Sequence, residues 1–289
     1  MSTTLKAPNA ANAGTVTIGD FTVNRLGFGS MRLTGDGIWG EPKDPAEAKR
    51  VLKRAVELGV NFIDTADSYG PEVSERLIGE TLAPYKAGLV IATKGGYMRQ
   101  GPNQWTPDIH PKHLREALAG SLKRLKLERI DVYQLHNTGD GTVKIADAIG
   151  ELAKMQSEGK IRHIGVSNFN LAQLTEARGL VKVVSVQNRY NLGDRASEAV
   201  LKECDRLGIP FLPWAPLGGI NHKATTAMEN VAKRYGATTG QIAIAALLTH
   251  SPMMLPIPGT SRVTHLEENV AAAGIELTDQ DQKELSLTA

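Results

Sequence analysis

Cysteine is almost absent from this chain: its 289 residues include one, Cys204. A single thiol excludes an internal disulfide framework and a cysteine metal cluster, and its place inside a helical pattern reads as a buried spectator. That usage fits a reducing compartment, so a cytoplasmic location is expected. Charge of one sign is also lacking. With 33 basic against 31 acidic side chains, nothing favours nucleic acid or an anionic membrane surface as partner. No apolar run approaches the ~18 residues of a membrane span. Residues 1–14 are polar, rich in Ala, Asn and Thr, and lack the apolar core of a signal peptide, so they read as a disordered tail. His110 and His113 have no carboxylate or third histidine at ligand spacing and no His-x-His pair occurs, so no metal site is expected. A third glycine is missing where Gly27-Phe28-Gly29-Ser30-Met31-Arg32 begins like a dinucleotide fingerprint, so a Rossmann reading fails. Those glycines instead let backbone and substrate approach closely.

What is present is a repeating α/β pattern. The chain is 41% hydrophobic and 22% charged, as in a soluble globular protein. No linker, low-complexity stretch or charge run divides it, so residues 15–289 read as one domain. Thr15 to Ile18 and Phe21 to Val23 alternate about Gly19-Asp20 and predict an N-terminal β-hairpin that plugs one end of a barrel. Strand candidates then centre near Phe28, Phe62, Val90, Val132, Ile164, Val184, Phe211 and Leu255, with helical segments between them. Eight strands alternating with helices argue for a (β/α)8 TIM barrel over an open sheet. The clearest helix signals are Asp44-Pro45 before the stripe Val51, Leu52, Ala55, and Pro111 before Leu114, Leu118, Leu122 and Leu125. Residues 34–43, 97–110, 137–142 and 218–223 read as loops.

Three strand ends and one loop present side chains that work together. The run Gly59 to Gly70 (GVNFIDTADSYG) delivers Asp64 at the end of a buried strand and Tyr69 in the loop after it. Two further strands end in Lys94 and His136. A barrel carries its chemistry at this C-terminal mouth. Asp64 and Lys94 alone read equally well as a structural ion pair; with Tyr69 and His136 beside them, the set reads as a tuned phenol that donates a proton.

These pieces, with Ala92-Thr93-Lys94, Leu135-His136 and Gly159-Lys160-Ile161-Arg162-His163-Ile164-Gly165-Val166-Ser167-Asn168-Phe169, strongly resemble the aldo-keto reductase superfamily, and the likeness runs from Val16 to the end of the chain. The resemblance implies reduction of aldehydes or ketones to alcohols with NADPH, NADH being possible. It makes Tyr69 the proton donor, Lys94 and Asp64 its tuning pair, and His136 the residue that orients the substrate carbonyl. An ammonium beside a phenol favours phenolate, so a Tyr69 pKa lowered toward neutrality is expected.

The resemblance also implies a cofactor site. Ser167, Asn168 and Gln187 would hold the nicotinamide amide, and Trp214 would stack on its ring unless it merely fills the barrel wall. Ala215-Pro216-Leu217-Gly218-Gly219 would approach the pyrophosphate. Gly259-Thr260-Ser261-Arg262 with Glu268 and Asn269 would hold the adenosine end; Gly259 and His265 stand where relatives commonly carry lysine and arginine, and Arg262 is expected to supply the lost charge. Met31, Arg32, Trp39, Tyr97 and Trp105 are expected around a small-molecule carbonyl substrate, in a rather open pocket because no long C-terminal loop follows the last helix. The likeness is to the branch that includes pyridoxal reductases, which makes pyridoxal a candidate. A cofactor-binding regulatory barrel of the channel β-subunit kind is the alternative, and a metal-dependent barrel hydrolase a more distant one. Oligomeric state is not legible in the sequence.

Overall fold

Strands buried on both faces need near-continuous apolar runs, and the chain supplies them at regular intervals. The computed structural model describes residues 7–218 and 224–285. In chain order the strands are β1 (Thr15–Ile18), β2 (Phe21–Asn24), β3 (Phe28–Gly29), β4 (Phe62–Asp64), β5 (Val90–Gly95), β6 (Tyr97–Gly101), β7 (Gln104–Pro107), β8 (Ile130–Leu135), β9 (Ile161–Ser167), β10 (Val183–Arg189) and β11 (Phe211–Trp214). Seven of them form a parallel sheet in the order β3, β4, β5, β8, β9, β10, β11. The eighth expected strand, around Leu255, is shorter than a named strand yet closes the circle. Phe211 N–H donates to Met253 O at 2.9 Å and Leu255 N–H to Phe211 O at 2.9 Å, while on the other side Gly27 N–H donates to Pro256 O at 3.0 Å. Pro252, Pro256 and Pro258 lack the N–H groups that a longer ladder would need. The result is the expected (β/α)8 barrel.

The helices follow the strands as α1 (Pro45–Glu57), α2 (Val73–Leu82), α3 (Pro111–Leu125), α4 (Ile145–Ser157), α5 (Leu171–Leu180), α6 (Glu198–Leu207), α7 (Thr226–Tyr235), α8 (Thr239–His250), α9 (Val263–Ala271) and α10 (Asp279–Glu284). Sequence signals set their starts: Asp44 Oδ1 accepts the Glu47 N–H at 2.8 Å, with Pro45 in the first turn. Helix α2 carries no such signal, because its N-cap is Glu72 in the left-handed region (φ +68°) without a side-chain cap.

The floor of the barrel is apolar. Val16, Ile18 and Val23 of the β1–β2 hairpin pack against Phe62, Val90, Val132, Val184, Leu212 and Leu255, so the hairpin plugs the N-terminal end as expected. Asp20 in its turn pairs with Arg162 and His163 of β9, which hold its carboxyl down at about 2.

Two expectations fail. Residues 7–14 are not a disordered tail. Asn9 Oδ1 accepts the Ala11 N–H at 2.9 Å to start a 3-10 turn at Ala10–Ala13, and the fully buried Ala10 donates its N–H to Leu58 O at 2.8 Å. One cap and one buried methyl suffice where polar composition suggested disorder. Residues 97–107 are not a loop but the antiparallel β6–β7 hairpin, which lies beside the mouth. Its inward positions are Tyr97, Arg99 and Trp105, and an arginine facing inward hides the apolar alternation that marks a strand.

Candidate active site

Alternation along each strand decides which side chains enter the barrel. Val132 lies in the floor, so Gln134 and His136 also point inward; Phe62 brings in Asp64, and Val90 brings in Lys94. On β10 the register shifts between Val183 and Val186, which lets Val184 and Gln187 both face the interior although three residues apart.

These side chains meet in a buried cluster. Lys94 Nζ donates to Asp64 Oδ2 at 2.7 Å, to Thr65 O at 2.8 Å and to the Tyr69 hydroxyl at 3.2 Å. Asp64 Oδ1 accepts from Gln187 Nε2 at 2.7 Å and Gln134 Nε2 at 3.2 Å. Burial opposes the Lys94 ammonium, but the charge of Asp64, with the hydrogen bonds to Asp64 and Tyr69, outweighs it and raises its pKa. Tyr69 behaves differently from the expectation. Burial pushes its phenol above the ordinary value, and the pull of Lys94 only partly opposes this. The hydroxyl therefore carries its proton throughout the neutral range.

His136 is buried, and burial followed by the Lys94 charge drives its pKa well below the usual imidazole value. The ring is neutral. Its Nδ1 is enclosed with no partner among the described residues, and an orphaned buried N–H is costlier than an idle lone pair, which assigns the proton to Nε2 on the cavity side. Around it stand Tyr97 at 4.8 Å, Tyr69 at 5.9 Å and Trp105 at 6.5 Å between ring centroids, all edge-on.

A cavity of about 750 Å³ opens over this cluster. Asp64, Tyr69 and His136 line its wall, as do Met31, Arg32, Tyr97 and Trp105; Lys94 is fully buried beneath it. Ser167, Asn168, Gln187, Trp214, Ala215, Pro216 and Leu217 line one side, and Gly259, Thr260 and Ser261 another. The amides are already engaged. Gln187 holds Asp64, while Asn168 donates to His136 O at 2.9 Å and accepts from Trp214 Nε1 at 3.0 Å. Asn168 (φ +62°) and Ala215 (φ +51°) sit in the left-handed region at the strand ends, a conformation that asparagine tolerates and alanine adopts at a cost of about 1 kcal/mol. Trp214 is only half-buried and belongs to the cavity wall rather than the core.

Besides Lys94, five expected residues do not line the cavity. Trp39 turns away to the Arg99 guanidinium, and Ile38 takes its place. Gly218 lies beyond the lining, and Gly219 falls outside the described residues. Arg262 is exposed, at the N-cap of α9. Glu268 accepts from Thr238 Oγ1 at 2.6 Å and so braces α8, and Asn269 is buried behind the loop. In their stead the basic groups at this end are Arg32 and His265. A Cβ on Gly259 would collide with Gly29 O and would stand 3.5 Å from Arg32 Cγ, so the two backbones meet here because neither carries a side chain. Gln134, Ile38 and Ile257 were not expected. Gln134 was legible in principle, from its inward parity with Val132 and His136.

Behind the loop that carries Tyr69, Asp67 is buried with Oδ1 unpartnered among the described residues, and burial, then the charge of Glu75, pushes its carboxyl up to about 8. Glu75 itself is held by Thr93 Oγ1 at 2.5 Å and Arg124 Nε at 2.7 Å. Between about pH 4 and pH 8 the folded state holds a proton on Asp67 that the unfolded chain releases, so stability falls as pH rises through that window. Asp67→Asn should be more stable than the parent at pH 8 by at least about 1 kcal/mol, the difference shrinking toward pH 4. Urea unfolding at both pH values measures it, and equal midpoints at pH 8 would show Asp67 ionised without penalty.

Comparison with known proteins places this geometry. The model of the Aldo/keto reductase family matches residues 25–287. An uncharacterized oxidoreductase of Schizosaccharomyces pombe is 53% identical over 275 residues, covering 95% of this chain and 89% of that protein. Pyridoxine 4-dehydrogenase of Escherichia coli is 41% identical over 276 residues, 93% of this chain and 96% of that one. Among solved structures, a glycerol dehydrogenase from Gluconobacter oxydans superposes with a TM-score of 0.84 at 27% identity, covering 95% and 94% of the two chains.

Proposed function

We propose that this chain, which belongs to the aldo/keto reductase family and is thereby an oxidoreductase, reduces aldehydes or ketones to alcohols with NADPH, Tyr69 donating the proton. The observation that carries the reading is the Lys94 ammonium held between Asp64 and the Tyr69 hydroxyl, with His136 facing the same cavity.

The residues fit a nicotinamide dinucleotide. Ser167, Asn168, Gln187 and Trp214 would hold the nicotinamide, Ala215 to Gly218 the pyrophosphate, and Thr260, Ser261, Arg32 and His265 the adenosine phosphate end, where the bare Gly29 and Gly259 backbones leave room. The bound cofactor supplies a hydride. As negative charge grows on the carbonyl oxygen, Tyr69 O–H and His136 Nε2–H stabilise it more strongly than they do the neutral carbonyl. Tyr69 then gives up its proton, and the adjacent Lys94 charge stabilises the phenolate left behind. Asp64, anchored by Gln134 and Gln187, keeps that ammonium charged and aimed.

For substrate, the aromatic side formed by Tyr97 and Trp105 suits a planar carbonyl compound. The likeness to pyridoxine 4-dehydrogenase supports pyridoxal as a candidate. A purely regulatory, cofactor-binding role has no specific support, since the proton-donating cluster is intact. The test is NADPH oxidation over aromatic, aliphatic and pyridoxal-type aldehydes, with NADH in parallel. Turnover is expected, strongest with planar aldehydes and NADPH; cofactor binding without turnover on any carbonyl compound would overturn the reading in favour of the regulatory one.

A further inference from the structure

The β6–β7 hairpin brings Tyr97 and Trp105 to the cavity, yet an isolated two-stranded hairpin is marginal on its own. Arg99 of β6 ties it down. Its Nε donates to Gln104 O at 2.8 Å, Nη1 to Ser68 O at 2.7 Å, and Nη2 to Gly37 O at 3.1 Å and to Gly101 O at 3.3 Å. The guanidinium carbon lies 3.7 Å from the Trp105 ring centroid and 5.7 Å from that of Trp39.

Three of these acceptors come from separate segments, the loop after β4, the loop after β3 and strand β7, and each belongs to the residue just before one that lines the cavity. Ser68 precedes Tyr69, Gly37 precedes Ile38, and Gln104 precedes Trp105. Asn103 N–H adds a bond of 2.9 Å to the same Gly37 carbonyl. One rigid fork thus fixes three parts of the wall relative to one another. A lysine offers a point charge and cannot span them.

We propose that Arg99 is the positioning residue of the substrate pocket: it sets the distance between the Ile38 and Trp105 walls and thereby the preference for planar, bulky carbonyl compounds. It touches no reacting atom, and the inference rests on the carbonyl-reductase reading. The wall matters most to a substrate wide enough to reach it.

Arg99→Lys and Arg99→Ala, compared with the parent on 4-nitrobenzaldehyde and propanal, test this. The KM for 4-nitrobenzaldehyde should rise about tenfold or more, that for propanal less than about threefold, with kcat held within about threefold for both. Equal changes for the two aldehydes, a fall in kcat alone, or no change in either variant would overturn the proposal. A readout independent of turnover guards against misfolding and against error in the reductase reading. With Trp39 and Trp214 replaced by Phe, acrylamide quenching of Trp105 should increase on Arg99→Lys while the circular dichroism is unchanged; unaltered quenching would show that Arg99 does not hold the wall. Were the parent enzyme silent on both aldehydes, the quenching result would by itself decide the role of Arg99 in the wall.

Discussion

Tyr69→Phe should bind NADPH as the parent does and turn over at least about 100-fold more slowly. The substitution removes one oxygen from a buried ring whose hydroxyl accepts a 3.2 Å bond from Lys94 and leaves the edge-on packing against His136 and Trp105 intact. Its effect should therefore fall on kcat. The parent's pH profile carries the same information. With the Tyr69 pKa raised and that of His136 lowered, reduction should be flat across the neutral range and decline only at alkaline pH, above the ordinary phenol value of about 10. Steady-state rates from pH 6 to 11 together with fluorescence titration of the cofactor measure both. Unchanged turnover in Tyr69→Phe would remove Tyr69 from the chemistry.

Lys94→Met should lose both activity and stability. The ammonium is fully buried, and three oxygens accept its hydrogen bonds. Deleting it leaves Asp64 with two amide donors but no counter-charge, and breaking a buried ion pair from one side costs about 3–5 kcal/mol. Turnover should fall about 100-fold or more, because nothing then stabilises the phenolate form of Tyr69. Lys94 has a raised pKa, so its stabilising contribution is complete at neutral pH and is lost only as pH rises through that raised value. Urea unfolding at pH 7 checks the stability loss; a change below about 1 kcal/mol would mean that water reaches Asp64.

The barrel and its four central side chains were legible because strand parity and strand ends are local properties. Phe62 and Asp64, or Val132 and His136, reveal their direction by spacing alone. What spacing does not show is where side chains go after the backbone is placed. Gln187 and Asn168 read as amides for the nicotinamide, and the structure adds that Gln187 also holds Asp64 and Asn168 the His136 carbonyl. Arg262 reads as a phosphate cation by its position, and the structure sets it exposed at the N-cap of α9, outside a cavity lining that includes Arg32 and His265. The Tyr69 shift went the other way because an adjacent ammonium is visible in sequence and the depth of burial is not. The 97–107 hairpin was missed because its inward arginine breaks the apolar alternation while supplying the bonds that hold it.

The plug at the floor has a consequence for what counts as this domain. The family match starts at residue 25, just after the hairpin that covers Phe62, Val90, Val132, Val184, Leu212 and Leu255. A fragment trimmed to that homology boundary would retain every side chain of the reactive cluster and uncork the barrel beneath them, wetting an interior built to be dry. The segment that the family match spans and the segment that seals the barrel are thus different lengths of the same polypeptide.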